Sequence, residues 1–245
     1  MKLFLAGLES SYSWLPIDKA KYVLSSYAYI KKGLADNISK WDMFLLDSGA
    51  FTFRKKSNNV NWNNYIDGYI KFINEYNVDY FFELDIDNIV GYENVLVLRK
   101  KLEQGTGKQC IPVWHKSRGI ENYIELCQTY NYIALGSSTK FKDKENHTFL
   151  RHLLSVARQN NCKVHGLGFT SKMIKKYDFY SVDSTTWDGY RYGSLYRFKN
   201  GDINYIKPPK GKGLTRDYRI VTQNNFAEWC KYQKYLDNYK GATYL

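Results

Sequence analysis

The stretch Phe179-Tyr-Ser-Val-Asp-Ser-Thr-Thr186 passes from apolar residues into Asp183 and then into small polar residues. Two earlier stretches end in the same way, Met43-Phe-Leu-Leu-Asp47-Ser-Gly-Ala50 and Tyr80-Phe-Phe-Glu-Leu-Asp85-Ile-Asp87. In α/β barrels, the carboxyl ends of the strands hold the catalytic side chains. If the three stretches are strands of one barrel, their carboxylates converge on one mouth, and the pattern predicts an enzyme.

Short apolar stretches alternate with helical patterns along the chain. Strand-forming residues predict eight strands, at 2–8, 22–27, 43–49, 79–86, 109–115, 132–137, 163–168 and 179–185. Apolar residues at helical spacing are clearest within 62–73, 120–127 and 149–157. Strict alternation favours a parallel sheet, and eight units predict a (β/α)8 TIM-type barrel. A doubly wound open sheet is the alternative, because the first two units are compact.

The pattern changes after the eighth predicted strand. Residues 194–198 and 203–206 predict a β-hairpin, in which Asn200 and Gly201 supply the positive φ angles of a type I′ turn. A final helix is predicted near 224–238, with one apolar face that packs back on the barrel. We therefore expect a single domain over 1–245. The barrel covers 1–190, and the hairpin and C-terminal helix cover 191–245.

Composition is that of a globular protein of the cytoplasm. Of the 245 residues, 44% are apolar and 17% aromatic, which is enough for a sizeable core. The four cysteines form no Cys-x-x-Cys pair, so neither a zinc knuckle nor a disulfide framework is predicted. The apolar start ends at Glu9, and no later stretch has the length of a membrane span.

The excess of basic residues favours a polyanionic partner. There are 36 Lys and Arg residues against 24 Asp and Glu residues, a net charge of +12. An AT-rich genome, which enriches Lys, is the alternative explanation. Two basic clusters follow predicted catalytic strands, where a phosphate backbone would pass. They contain Arg54 and Lys55 in the first cluster and Lys210 and Lys212 in the second.

Several motifs in order along residues 43–207 resemble those of tRNA-guanine transglycosylases. Asp47-Ser-Gly-Ala-Phe51 is similar to their Asp-Ser-Gly-Gly-Phe/Tyr element, and Tyr180-Ser-Val-Asp183 lies where they carry a nucleophilic Asp. The colinear matches between and after these two are Phe82-Glu-Leu-Asp85, Ile111-Pro-Val-Trp-His115, Tyr132-Ile-Ala-Leu-Gly136, Val164-His-Gly-Leu-Gly168 and Arg191-Tyr-Gly-Ser-Leu-Tyr196. Each motif is short, and their joint order is what carries the resemblance.

The chain departs from this family in three respects. The structural zinc of the family needs a Cys-x-Cys-x-x-Cys cluster and a His after the hairpin, whereas that region holds only Cys230, so no metal is expected. The chain is also short, like phage-encoded relatives that place 7-deazaguanine bases into DNA. Trp114-His115 replaces a Val-Gln pair, and Ala50 replaces Gly.

The resemblance implies base exchange at C1′ of a nucleotide, without a cofactor. Asp183 would trap the sugar as a covalent ester, and Asp47 would move protons to and from the bases. The partners would be nucleic acid, with DNA favoured over tRNA, and a free 7-deazaguanine base. A protein partner or a second copy is also expected, and the site of action would be the cytoplasm of the host if the chain is phage-encoded.

Base recognition is assigned to acidic and small residues at the strand ends. Guanine presents two N–H donors, so a carboxylate reads it well; Asp85 is preferred, with Asp87 and Glu83 as alternatives. The other substrate-binding candidates are Ser48, Phe51, His115, Gly136 and Gly168, and Arg191 is a candidate for nucleic-acid contact. Gly136 is expected to leave room for the base, with its N–H free for a carbonyl. His165 is either a buried hydrogen-bonded imidazole or a ligand contact.

Two other function classes fit parts of the sequence. A barrel glycosidase or nucleoside hydrolase would use the same carboxylates on a sugar, but it would need no basic surface. A non-catalytic nucleic-acid-binding module would keep the Lys and Arg clusters, but it would need no convergent acids.

Overall fold

The computed structural model describes residues 1–53, 60–136, 144–169, 174–192, 194–206 and 217–239. Seven strands of this part form one parallel sheet in the order β3-β2-β1-β7-β6-β5-β4. They are β1 (Lys2–Ala6), β2 (Tyr22–Ser26), β3 (Met43–Asp47), β4 (Val113–Trp114), β5 (Tyr132–Leu135), β6 (Lys163–Gly166) and β7 (Ser181–Ser184). The sheet is curled, and the fold is α/β, as predicted.

Residues 80–83 lie between β3 and β4 and take the place of the predicted strand 79–86. Leu46 N donates to Tyr80 O and Phe82 N to Leu46 O, both at 3.0 Å, while Ile111 N donates to Phe81 O at 2.8 Å. These bonds form two isolated parallel bridges and no continuous strand. The described sheet therefore has seven strands where eight were predicted.

The side chain of Glu83 explains why this pairing stops. Its carboxylate accepts the N–H of Val113 at 2.7 Å. This N–H is therefore bonded to a side chain and not to a backbone carbonyl, as it would be in a continuous ladder. Beyond it, Ile86 N donates to Leu84 O, and the chain turns away from the sheet. A parallel ladder needs evenly spaced backbone bonds, and here that series is broken.

Two apolar cores lie on opposite faces of the sheet. The smaller core fills the concave face, and its members alternate along the strands, as in Phe4 and Ala6, Met43 and Leu45, and Tyr132 and Ala134. The larger core lies between the sheet and the helices and includes Tyr69, Trp114 and Trp229, all of them buried. The alternation decides which side chain at each strand end faces the concave side.

Seven α-helices lie in the described part of the chain. They are α1 (Lys32–Ala35), α2 (Trp62–Glu75), α3 (Asp87–Val90), α4 (Tyr92–Thr106), α5 (Gly119–Thr129), α6 (Lys144–Gln159) and α7 (Tyr218–Asn238). The helices predicted from spacing within 62–73, 120–127 and 149–157 are confirmed as α2, α5 and α6. None of the helices in the described ranges has the length and apolar character needed to cross a membrane.

The predicted hairpin is confirmed. Strands β8 (Leu195–Lys199) and β9 (Asp202–Ile206) pair antiparallel, and Asn200 and Gly201 between them have φ angles of 53° and 78°. Both residues adopt the left-handed conformation that a type I′ turn requires.

Helix α7 packs back on the sheet, as predicted, but begins before the predicted position 224. Its N-cap is Asp217, whose carboxylate accepts the N–H of Arg219 at 2.8 Å. Gln233 Nε2 donates to Leu3 O at 2.7 Å and to Tyr22 O at 2.8 Å, which fixes the helix against β1 and β2.

Candidate active site

Four of the predicted site residues lie at one rim of the sheet, which we call the mouth. The mouth is the carboxyl end of the parallel strands. Continuing the alternation of the concave core by one step leads from Leu45 to Asp47, from Val113 to His115 and from Ala134 to Gly136. Asp183 is paired in register with Phe4 of the same core. The sheet therefore brings together residues that are far apart in sequence.

The turn after β3 fixes the Asp47 carboxyl. Gly49 has a φ of 72°, and a Cβ there would lie 2.6 Å from the Cβ of Ala28, so both the conformation and the space call for glycine. The N–H of Gly49 donates to the Asp47 carboxylate. Two tyrosines of α2 hold the same segment, because Tyr65 donates to Ser48 O at 2.5 Å and Tyr69 to Leu46 O at 3.1 Å.

The pKa of Asp47 is raised to about 7. Burial is the largest cause, followed by the negative charge of Asp183; the charges of Asp85 and Glu9 raise the pKa further, while the Gly49 N–H lowers it. Asp47 is therefore close to half protonated at neutral pH. A carboxyl in that state can both give and take a proton at the working pH of most enzymes.

Glu9 was not among the residues predicted from the sequence. It lies in a 3₁₀ turn, Leu8–Ser10, directly after β1, and its Oε1 accepts the N–H of Ser26 at 2.8 Å. Its position after a strand end, which is the signal that found Asp47 and Asp183, could have identified it.

Asp183 is 9% exposed, and its two carboxylate oxygens have different surroundings. Oδ1 accepts the N–H of Gly168 at 2.7 Å and lies 3.1 Å from Nε2 of His165. Oδ2 has no hydrogen-bond partner among the described residues. Gly168, predicted as a substrate contact, thus contacts the carboxylate itself, and Oδ2 is the oxygen left for a reaction.

The three acids of residues 83–87 are distinguished by their partners. Glu83 is fully buried and pairs with Arg99 Nε at 2.6 Å, and Asp87 pairs with Arg118 at 3.1 Å. Asp85 instead contacts His115, with 2.6 Å between Oδ1 and Nε2. Among the three, Asp85 is the acid whose carboxylate forms no ion pair with an arginine in the described structure.

Gly136 makes room for His115. A Cβ on Gly136 would lie 2.3 Å from Cε1 and Nδ1 of the imidazole, so no side chain fits beside this ring. The Gly136 N–H donates to Trp114 O at 2.9 Å. The expectation of an N–H free for a ligand carbonyl is wrong, because the sheet ladder uses that donor.

The sequence left two alternatives for His165, and the structure has it as a buried, hydrogen-bonded imidazole. It is 0% exposed and faces Asp183 through Nε2, while Nδ1 lies 2.7 Å from Ser181 Oγ. Strand register identifies it, since His165 pairs with Ala134 of the concave core and with Ser181.

Several other predicted residues cannot be placed at the mouth. The Ser48 side chain is buried, and its hydroxyl has no hydrogen-bond partner in the described ranges. Residues 54, 55, 210 and 212, and with them the predicted contacts of Arg54, Lys55, Lys210 and Lys212, lie outside the described residues. The side chains of Phe51 and Arg191 also lie outside them.

One group of side chains in the described part of the chain has the composition of a cation site. It contains Asp85, Asp87 and His115, whose ligand atoms all lie within 4.8 Å of one another. Carboxylate and imidazole are ligands for divalent metals. However, Arg118 donates to Asp87 Oδ2 from both Nε and NH2, at 3.2 and 3.1 Å, and supplies a positive charge to the group.

No protein-family model matches the sequence, and no curated protein matches it. Among solved structures, the chain is similar to the crystal structure of the citrate synthase SbnG, with 12% sequence identity and a TM-score of 0.48. The similarity covers 77% of this chain and 88% of the citrate synthase chain. No function is transferred from that enzyme at this degree of similarity.

Proposed function

We propose that this chain is a base-exchanging transglycosylase that replaces guanine in nucleic acid, DNA in preference to tRNA, with a 7-deazaguanine base. The observation that carries the proposal is the pair formed by Asp47 and Asp183. The two carboxyls lie at one mouth, close enough for the charge of one to raise the pKa of the other, and they differ in partners. Two carboxyls in unlike environments are suited to unlike roles at a sugar carbon.

Asp183 is the nucleophile of the first step. Its Oδ2 attacks C1′ of the target nucleotide, and the C1′–N9 bond breaks as the C1′–O bond forms. The electron pair of the broken bond goes to N9 of the leaving guanine, which takes a proton from Asp47. The products are a sugar ester on Asp183, free guanine and ionised Asp47.

The second step reverses the first with a different base. The entering 7-deazaguanine gives its N9 proton to Asp47, and N9 attacks C1′ while the ester C–O bond breaks. The electron pair returns to the Asp183 carboxylate, and Asp47 is protonated again. A pKa of about 7 lets Asp47 cycle between both forms at neutral pH.

Asp85 is the proposed acceptor for the guanine-type N–H groups. It lies beside His115 at the mouth, and its charge contributes to raising the pKa of Asp47. The guanidinium groups that occupy Glu83 and Asp87 leave those two acids less suited to a ligand.

We infer a closed eight-stranded barrel, with residues 80–83 as the fourth strand. The parallel bridges of Leu46 with Phe81 and of Phe82 with Ile111 support this closure, because they join β3 to the chain leading into β4. The four chain-distant residues at the mouth suit the catalytic end of such a barrel.

The net charge of +12 supports a nucleic-acid substrate. The basic residues Arg54, Lys55, Arg191, Lys210 and Lys212 are proposed to contact phosphates. A protein partner or a second copy would extend the binding surface of this short chain.

Trapping the ester tests the function. Purified protein is incubated with a guanine-containing DNA oligonucleotide, or with the matched RNA, and analysed on denaturing gels and by intact-mass spectrometry. We expect a covalent adduct that disappears when a 7-deazaguanine base is added, with that base recovered in the oligonucleotide. Release of guanine without incorporation would favour a hydrolase. If neither polymer gives an adduct or released guanine, the proposal is contradicted.

A further inference from the structure

The imidazole of His165 lies below Asp183 in the concave core. Its ring packs near two phenylalanine rings, with centroids 6.0 Å from Phe4 and 5.3 Å from Phe82. The residue is 0% exposed, so solvent cannot satisfy its two nitrogens. Buried polar groups need partners within the protein, and both nitrogens have one.

These partners form a buried chain of four side chains. Nε2 lies 3.1 Å from Asp183 Oδ1, and Nδ1 lies 2.7 Å from Ser181 Oγ. Ser181 Oγ in turn lies 2.5 Å from the hydroxyl of Tyr132. This series of hydrogen bonds runs from Tyr132 in the concave core to Asp183 at the mouth.

The two ends of the chain set its direction. A carboxylate only accepts, so the hydrogen bond to Asp183 requires a proton on Nε2. Burial raises the pKa of Tyr132, so its hydroxyl keeps a proton that it can donate to Ser181 Oγ. When Ser181 in turn donates to Nδ1, the ring carries its proton on Nε2. Every hydrogen in the chain has an acceptor in this arrangement.

We propose that His165 is a positioning residue for Asp183, held in the Nε2–H tautomer by Ser181 and Tyr132. This inference rests on the proposed function. His165 and the N–H of Gly168 both bind Oδ1, which leaves Oδ2 to face the sugar carbon. When Oδ2 forms the ester, Oδ1 becomes the ester carbonyl and keeps both donors. The nucleophile therefore reacts without rearranging its hydrogen bonds, which lowers the cost of reaching the transition state.

Substitutions of His165 test the role. His165→Leu removes the donor and keeps the apolar packing, whereas the amide nitrogen of His165→Gln can restore a donor near Nε2. In single-turnover reactions with excess guanine-containing oligonucleotide, we expect His165→Leu to form the adduct roughly 100-fold more slowly. His165→Gln should recover at least about ten-fold of that loss, and oligonucleotide Kd should stay within about two-fold in both variants. Equal rates in wild type and His165→Leu, or no recovery in a folded His165→Gln protein, would overturn the proposal.

The tautomer is measured separately, by long-range ¹H–¹⁵N NMR of the wild-type imidazoles at pH 8. We expect the proton of His165 on Nε2, and in Ser181→Ala a population shifted toward Nδ1–H with slower adduct formation. A proton on Nδ1 in the wild type contradicts the role of His165 regardless of activity. Absence of any adduct in the wild type, with the proton on Nε2, contradicts the proposed function and leaves the hydrogen-bond chain intact.

Discussion

Acidic residues at and after the strand ends form two groups, which we call the arginine side and the catalytic side, and the two groups differ in their cations. On the arginine side, Glu83 and Asp87 contact Arg99 and Arg118 at 2.6 and 3.1 Å. On the catalytic side, named for its proposed role, Asp47 and Asp183 form no ion pair with Lys or Arg of the described residues. Their partners there are backbone N–H groups and the His165 imidazole.

The difference separates acids that are paired with cations from the acids that are proposed to react. A buried carboxylate that is matched by guanidinium groups contributes to the fold, and removing one partner leaves an unpaired buried charge. A buried carboxyl without a cation has its pKa raised toward neutrality, as Asp47 does. The neighbouring charge is therefore the feature that distinguishes the proposed catalytic acids from the acids paired with arginine.

The largest expected effect is on the catalytic side. Asp183→Asn should reduce covalent adduct formation by at least about 10⁴-fold, because the amide cannot form the sugar ester. The fold and the oligonucleotide affinity should remain, since the amide oxygen can still accept from Gly168. Intact-mass spectrometry and fluorescence anisotropy measure the two quantities. Near-normal adduct formation would remove Asp183 from the catalytic side.

The next effect belongs to the arginine side and is on stability. Arg99→Met should lower the free energy of unfolding by about 3–5 kcal/mol, because it removes the 2.6 Å ion pair of the fully buried Glu83 and leaves it the longer one, with Arg118 at 3.5 Å. Lys101→Met on the same helix is the control; its 2.6 Å pair with Asp67 is exposed, so its loss should cost less than about 1 kcal/mol. Urea unfolding measures both, and equal costs would contradict the comparison.

Asp85 lies between Glu83 and Asp87 in the sequence but contacts His115, and its substitution tests which side it belongs to. Asp85→Ala should weaken binding of free guanine and 7-deazaguanine by about 1–3 kcal/mol, because buried base N–H groups lose their acceptor. Oligonucleotide affinity should hardly change, since phosphate contacts carry most of it. Calorimetry with the free bases measures the first quantity. A larger loss of base affinity in Asp87→Ala would transfer the role to the acid bound by Arg118.

Asp47→Asn should remove a pH-dependent contribution to stability. The pKa of Asp47 is about 7 in the folded protein against 3.8 for an ordinary Asp, so the folded state binds the proton more tightly than the unfolded state. This contribution to stability is complete below pH 4 and is lost as the pH rises through 7. Relative to wild type, the variant should gain on the order of 1–2 kcal/mol between pH 5 and pH 8.

Urea unfolding of both proteins at the two pH values measures this gain. The control is Asp42→Asn, which makes the same substitution at an exposed acid and so corrects for the loss of one negative charge. If the stability difference between wild type and Asp47→Asn is the same at pH 5 and at pH 8, the pKa of Asp47 is not raised toward neutrality.

The smallest expected effect concerns the basic residues outside the mouth. Charge reversal at Lys210 and Lys212 should reduce the slope of log Kd against log salt by roughly 2 for oligonucleotides of any sequence. Lys231→Glu is the control, because Lys231 forms an exposed pair with Glu228 on α7. Salt-independent binding of the wild type would remove the support that the net charge gives to a nucleic-acid substrate.

Much of the fold followed from local patterns. Helix spacing predicted α2, α5 and α6, and Asn200-Gly201 predicted the hairpin turn, because these patterns act over a few residues. The predicted strand 79–86 was wrong in its extent. Its apolar residues suit a strand, but the Glu83 carboxylate takes the Val113 N–H, and a bond between positions thirty residues apart has no local signal.

The candidate site divides in the same way. The rule that polar residues follow buried strands found Asp47, Asp85 and Asp183, since strand ends are readable in one dimension. It ranked Asp85 above Glu83 and Asp87 by analogy, and the ion pairs with Arg99 and Arg118 supplied a physical reason. It left His165 undecided and gave Gly136 a ligand contact, because burial and strand register decide those two, and it missed Glu9 although that residue also follows a strand end.

By itself, the sequence determined the α/β alternation, the basic charge and the carboxylates that end the strands, because each of these is a property of short segments. Only the tertiary structure decided which carboxylates face cations, which oxygen of Asp183 has no hydrogen-bond partner among the described residues and why no side chain fits at Gly136. The physical reason is that a charge or a hydrogen bond acts through space over a few ångströms. The partners at that distance come from strands and helices far apart in the chain.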